Sequence, residues 1–428
     1  MDIGFGEALL IIGVLLAVGA GLSGWLHGTV LSISVLSVAT GVGLARTGAI
    51  STDPGSDVVV FAVELALVLT LFADGLFVED ELLRRYWGPP ARALVVAMPV
   101  TLVLLALAGK LLFSELSWAE AFLLGAVLSP TDPVVTSAVV TAERVPRTIR
   151  HTLNLESGLN DGLALPFVLF FLAASIPGGG GAATEAGRLL GEAVLGGAIG
   201  VGLALLAGRL LPLLPGGGMT HKYEGTYALG LGFLAFGIAD TTYGNGLIAS
   251  FVAGIVLAFT RHEIPATFRD FNEGVSAMFQ IVTFFLFGAL IVATGWDGSI
   301  VALAAFILFA LLVARPTAVL ISFVGVDLPR PEKIFIAWFG PKGVASMLFA
   351  LLVLNSADPH RTLVFDIASF VILASIFAHG LTDTVGARWI ERKLGRSSRA
   401  DDGGVGGKVE GQAGGAAQPV VPTTRSEE

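Results

Sequence analysis

The sequence contains no cysteine, which excludes disulfides, thiolate metal ligands and a cysteine nucleophile. It is also short of charge: 14% of its residues are Asp, Glu, Lys or Arg, against 54% hydrophobic. Soluble domains average about 25% charged residues, so too little polar surface is present to cover a water-soluble core. The mean hydropathy of +0.82 agrees. A soluble enzyme is excluded on that ground, and the same abundance of apolar residues excludes disorder over most of the chain. The 55 glycines and 19 prolines follow no G-X-Y period, so the chain is not collagen-like. A net charge of −9 gives no reason to expect a nucleic-acid partner. The six histidines are scattered and neither HExxH nor GxSxG occurs, so no enzyme motif and no cofactor site is expected.

What the chain does have is apolar runs of the roughly 20 residues needed to span hydrocarbon. Thirteen segments qualify, near 6–26, 28–46, 56–78, 91–112, 118–142, 149–176, 187–214, 223–241, 245–260, 273–294, 298–325, 332–355 and 363–390. The fold class expected is therefore an all-α polytopic membrane protein. Asp2 and Glu7 stand where a cleavable signal peptide would carry positive charge, so the first segment is expected to be a retained span. Lys and Arg gather on the cytoplasmic side of a membrane. Seventeen lie in the gaps after segments 3, 5, 7, 9 and 11 and just beyond segment 13. Only Arg46, Lys110, Arg188 and Arg361 occupy the opposite set. That asymmetry predicts thirteen spans with the N-terminus outside and the C-terminus cytoplasmic. Residues 1–395 form the membrane domain, and the Gly-, Ala- and charge-rich stretch 396–428 is expected to be a disordered tail.

Charge at mid-bilayer costs about 2.5–3.5 kcal/mol on insertion scales, so deep ionisable residues are functional candidates. They are Glu64, Asp74, Asp132, Glu156, Asp161, Arg315, Lys342 and Asp366; Asp240, Glu192 and His379 lie nearer segment ends. The fifth segment, LLGAVLSPTDPVVTSAVV, places Thr131 and Asp132 between Pro130 and Pro133. Each proline removes one helical N–H and pushes its predecessor toward extended geometry. Unwound backbone at that depth survives only where it is buried in protein or lines an aqueous cavity. A plain proline kink is the alternative. In the sixth segment, HTLNLESGLNDGLALPFVLFF, Glu156 and Asn160 are four residues apart, as are Ser157 and Asp161. Four oxygen-bearing side chains thus share one side of an apolar helix. Oxygen ligands suit hard cations and carboxylates also take protons; a cluster that merely joins helices is the alternative. The twelfth segment holds a second interruption, Gly340-Pro341-Lys342-Gly343, whose lysine needs a partner acid unless it snorkels to the interface.

The interrupted segments, fifth and twelfth, are seven apart, so they cross the membrane in opposite directions. Segments 4–6 then match 11–13, and 1–3 match 8–10, as in an inverted repeat. Paired interrupted helices of this kind mark a transporter's binding site. The core would comprise about 91–176 and 298–390, and the dimerisation and scaffold helices about 6–78 and 187–294.

LSPTDPV, then ESGLNDG about 24 residues on, then a late GPKG resembles the monovalent cation/proton antiporter family 1, which includes NhaP-type antiporters and sodium/proton exchangers. The resemblance covers residues 1–395. It implies a secondary transporter exchanging Na⁺ or Li⁺ for H⁺, one for one and electroneutrally, by alternating access. K⁺/H⁺ exchange in the same fold is the first alternative and a cation channel the second. By the same resemblance Asp161 is the carboxylate that takes cation or proton, and Asn160 marks the electroneutral branch. Asp132 and the Thr131 carbonyl would sit beside the ion, Ser157 would add an oxygen, and Asp74 would reach the cation. Glu156 would pair with the basic residue of the twelfth segment, and Arg315 matches a recurrent basic position. Lys342 replaces the arginine that is common there, and Gly158 replaces a larger residue. A homodimer in a prokaryotic inner membrane is expected, with His151 the candidate pH sensor.

Overall fold

The computed structural model describes residues 5–26, 33–50, 55–76, 87–132, 145–177, 182–210, 221–260 and 264–402. Among these residues the protein is all-α, with fourteen helices and no strand. They are α1 Phe5–Leu26, α2 Ile33–Arg46, α3 Asp57–Leu76, α4 Gly88–Leu112, α5 Trp118–Leu128, α6 Arg147–Ser175 and α7 Ala182–Leu210. There follow α8 His221–Thr241, α9 Gly246–Thr260, α10 Ile264–Thr294, α11 Ile300–Ser322, α12 Arg330–Trp338, α13 Val344–Leu354 and α14 Arg361–Asp402. Six helices are long and apolar enough to cross a membrane by themselves: parts or all of α3, α4, α6, α7, α11 and α14. Two of the shorter apolar helices, α5 and α13, are pieces of the interrupted segments. The second half of the fifth segment, 133–144, lies outside the described residues, as does 403–428. The last helix runs on to Asp402, past the expected boundary at 395.

The two interruptions end helices for local reasons. α5 opens on a capping box, in which Ser117 Oγ accepts from the Glu120 N–H and the Glu120 carboxylate accepts from the Ser117 N–H. The other Glu120 oxygen meets His360 Nδ1 at 2.7 Å, tying the start of α5 to the start of α14. α5 then stops at Ser129, one residue before Pro130. α12 stops at Trp338, and 339–343 is irregular until α13 begins. Leu124 and Leu128 of α5, Leu165 of α6, Leu348 of α13 and Ile367 of α14 are fully buried in one apolar cluster around these breaks.

Packing elsewhere repeats itself. α2 crosses α10 so closely that a Cβ on Gly41 would overlap the Phe285 carbonyl, and one on Gly288 the Val38 carbonyl. α9 crosses α3 in the same way: Gly254 faces the Phe72 carbonyl and Gly75 the Phe251 carbonyl. Every member of the first set maps onto the second by the same shift of 213 positions (41 to 254, 75 to 288, 72 to 285, 38 to 251). A second correspondence follows in α4 and α11. Each carries one π-helical turn, Ala93–Ala97 and Ala310–Ala314, just ahead of a proline. The sequences there are ALVVAMP and ALLVARP. A π turn absorbs the hydrogen bond that the proline cannot make. The chain is thus built from two matching halves, seven helical segments apart and running in opposite directions.

Small residues carry these crossings because lipid removes most of the hydrophobic drive for helix pairing. Gly41→Ala and Gly254→Ala should each lower stability by about 1–3 kcal/mol, through overpacking against a carbonyl. Gly43→Ala, on α2 with nothing within 4 Å of its Cβ position, should not. Thermal unfolding of the purified protein in detergent measures both.

Candidate cation site at the crossing of two broken helices

The interruption after α5 and the one between α12 and α13 hydrogen-bond to each other. The Asp132 N–H donates to the Pro341 carbonyl at 2.9 Å. Lys342 Nζ donates to the Pro130 carbonyl at 3.1 Å and the Ser129 carbonyl at 3.4 Å. Asp132 Oδ2 accepts from the Val344 N–H at 3.0 Å, capping the first turn of α13 from another segment of the chain. Two glycines make the contact possible. A Cβ on Gly343 would occupy the Asp132 carboxylate, and one on Gly340 would occupy the Arg315 guanidinium. The GPKG run is therefore a steric requirement as well as a helix breaker.

α6 passes beside this crossing with its polar face buried. Asp161 is 5% exposed and Asn160 2%. Asn160 Nδ2 donates to the Thr131 carbonyl at 3.1 Å and to Thr131 Oγ1 at 2.8 Å. It thereby braces the unwound residues. Across from α6, α3 brings Asp74 within hydrogen-bond reach of Asp161. Two carboxylates in that relation repel each other. Asp161 Oδ1, Asp74 Oδ2 and Asn160 Oδ1 are buried and find no hydrogen-bond donor among the described residues. Such oxygens are costly to bury unless something positive completes them. Ser157 is buried on the same face, one turn before Asp161. A Cβ on Gly158 would meet the Asp74 carbonyl only at ordinary contact distance.

The buried ion pair differs from the sequence expectation. Glu156 pairs with Arg315 of α11, not with Lys342. Arg315 Nη1 and Nη2 donate to the two Glu156 oxygens at 2.8 and 3.2 Å, and Nη2 also donates to the Phe339 carbonyl at 3.3 Å. The planar guanidinium suits a bidentate carboxylate while still reaching a carbonyl at the break. The lysine, a single point charge, instead gathers carbonyls of the first interruption. Spacing along the sequence could not separate two cations that converge from different helices.

Other deep charges lie away from the crossing. Asp366 of α14 accepts from Thr294 Oγ1 of α10 at 2.6 Å. Glu192 is paired with Arg188 on α7. Glu64 and Asp240 are exposed, and His151 is half-buried on α6. His379, noted in the sequence only as a segment-end residue, is 2% exposed and hydrogen-bonds directly to the second interruption. The signal for it was a serine four residues earlier on the same helix face, at Ser375.

The chain is similar to known proteins. The transmembrane domain of sodium/hydrogen exchangers matches residues 11–386. The K(+)/H(+) antiporter NhaP of Alkalimonas amylolytica is 25% identical over 347 residues, covering 79% of this chain and 58% of its own length. A probable Na(+)/H(+) antiporter of Schizosaccharomyces pombe is 24% identical over 360 residues, covering 73% of this chain and 46% of its own. The chain thus spans about half the length of these curated relatives. Among solved structures, the sodium proton antiporter MjNhaP1 from Methanocaldococcus jannaschii superimposes with a TM-score of 0.74 at 21% identity. That match covers 90% of this chain and 98% of the other. Because the family match runs over residues 11–386, most of its length, the chain belongs to the transmembrane sodium/hydrogen exchanger family.

Proposed function

We propose that this chain is a carrier, not an enzyme, that exchanges a monovalent cation for a proton at Asp161 and Asp74. The observation that carries the reading is the pair of adjacent buried carboxyls, each with an oxygen that finds no donor among the described residues, beside two mutually braced helix breaks. Asn160 and Thr131 supply neutral oxygens at the same place. Ser157 can add another. Asp132 acts through its cap on α13 and by its charge. Na⁺ or Li⁺ is the proposed cargo. K⁺ is the second reading, favoured by the name of the Alkalimonas relative.

Charge counting sets the coupling. Asp74, Asp132, Glu156 and Asp161 face Arg315 and Lys342, so full ionisation leaves two uncompensated negative charges. A proton or a monovalent cation relieves one of them equally. Exchange of one for the other moves no net charge, and the protein then responds to ion gradients and not to voltage. The emptied, fully ionised site is the one that should not cross, because an unpaired buried carboxylate is costly. The helices about 91–176 and 298–390 would move as the core against the scaffold about 6–78 and 187–294. The scaffold would form a homodimer in a cell membrane, with the N-terminus outside and the C-terminus in the cytoplasm.

Cation-driven proton movement in proteoliposomes tests this, with Na⁺, Li⁺ and K⁺ compared. The wild type should exchange at a rate indifferent to an imposed potential, although moving one net charge across 100 mV would be worth about 2.3 kcal/mol. Asp161→Asn should abolish the coupled flux. Persistent exchange in that variant, or cation flux without protons, would sink the reading. For the buried pair, Arg315→Leu alone should cost about 3–5 kcal/mol, because it strands the Glu156 charge. The double variant Glu156→Leu/Arg315→Leu should recover most of that loss, as read by thermal unfolding.

A further inference from the structure

An unbroken helix would join the Lys342 N–H to the Trp338 carbonyl, four residues back. The interruption at 339–343 cancels that bond and leaves a donor and an acceptor in surroundings where lipid offers no replacement. Lys342 is 2% exposed. Two side chains of α14 take over both ends. The Lys342 N–H donates to Ser375 Oγ at 2.9 Å. At the other end, His379 Nε2 lies 2.9 Å from the Trp338 carbonyl. Between them, Ser375 Oγ and His379 Nδ1 are 3.2 Å apart.

A carbonyl oxygen only accepts, so Nε2 carries the proton. In the ring protonated at Nε2 alone, Nδ1 accepts from the Ser375 hydroxyl, and a relay runs from Lys342 through Ser375 and His379 to Trp338. Nδ1 also lies 2.7 Å from the Ser375 carbonyl, to which a doubly protonated ring would donate. Both forms keep the bond to Trp338. The grip extends one turn further. Trp338 Nε1 donates to Thr382 Oγ1 at 3.0 Å, and the Trp338 and His379 rings lie 5.2 Å apart. The charged groups facing His379 from the neighbouring elements are Arg315 and Lys342. Neither acts as its hydrogen-bond partner among the described contacts.

We propose that Ser375 and His379 are positioning residues that splint the second helix break and thereby set the affinity of the cation site, without touching the ion. The lever is Lys342. Its backbone is held by Ser375, while its ammonium holds the Ser129 and Pro130 carbonyls beside Thr131. Releasing the splint lets that ammonium shift and loosens the first break, where Thr131 is braced by Asn160. This inference rests on the exchange reading above.

The test uses the full chain, reconstituted, with His379→Leu, His379→Gln and Ser375→Ala. Orphaning a buried carbonyl should raise the apparent KM for the driving cation about tenfold in His379→Leu, with the maximal rate within about twofold. Gln restores an N–H at similar reach and should return KM to within about threefold of wild type. Ser375→Ala should shift KM in the same direction by a smaller factor. Amide hydrogen exchange across 338–343 should rise in His379→Leu and return toward wild type in His379→Gln. A folded leucine variant with unchanged KM overturns the proposal, as does a glutamine variant no better than leucine. Should His379→Leu not fold, Ser375→Ala and His379→Gln decide by the same two readings. If the wild type exchanges no cation, the functional reading fails, and a splint that still protects 338–343 survives as a structural feature alone.

Discussion

The site depends on one constraint: backbone N–H and C=O groups released by a helix break at membrane depth must find partners within the protein. Two breaks placed against each other solve this jointly. Pro341 offers a carbonyl to Asp132, and Asp132 returns a carboxylate oxygen to the first turn of α13. Lys342 collects carbonyls from one break, and Arg315 collects one from the other while holding Glu156. The same side chains that would be expensive as isolated charges are thus the ones that make irregular backbone tolerable. Among the described residues, the oxygens beside the crossing that still find no donor include those of Asp161, Asp74 and Asn160. Function concentrates where that accounting does not close.

The internal repeat shows how such a site arises from matching halves. Where a shift of 213 positions relates the glycine crossings, Asp74 corresponds to Phe287. After the paired π turns, Arg315 corresponds to Met98. In each case one half keeps an apolar residue and the other places a charge at the crossing. Phe287 and Met98 are buried in the apolar core. The frame is therefore symmetric and the chemistry is not.

Much of this was legible in the sequence, for identifiable reasons. Composition and run length alone specify a helical membrane protein. Pro130, Pro133 and Pro341 announce the breaks, because proline acts on its own neighbours. The four polar residues of α6 share a face by simple spacing. Partner choice was less accessible, since Glu156 meets a cation more than 150 residues away. Arg315 and Lys342 are equally good partners on paper, and the fold alone separates a bidentate fork from a point charge. The repeat was legible as architecture, from the seven-segment offset of the two interruptions, but not residue by residue. Its most faithful signature is four glycines and the carbonyls they face, a pattern of absent side chains that hydropathy does not register. His379 stayed in the background because its partners are backbone atoms of another segment.

The glycine crossing between α3 and α9 bears on how the site can move. Gly75 follows Asp74 directly, and its contact with the Phe251 carbonyl anchors that stretch of α3 to α9. Asp161, by contrast, belongs to a helix whose polar face is bound to the broken segments. On the core-and-scaffold division proposed above, the two carboxyls would stand on opposite banks of a seam. Sliding along that seam would part the pair, against the close packing of Gly162 on the Phe251 ring as well as against whatever sits between the carboxyls. The transported particle would then be the rivet of its own carrier, present when the banks are joined and lost when they part.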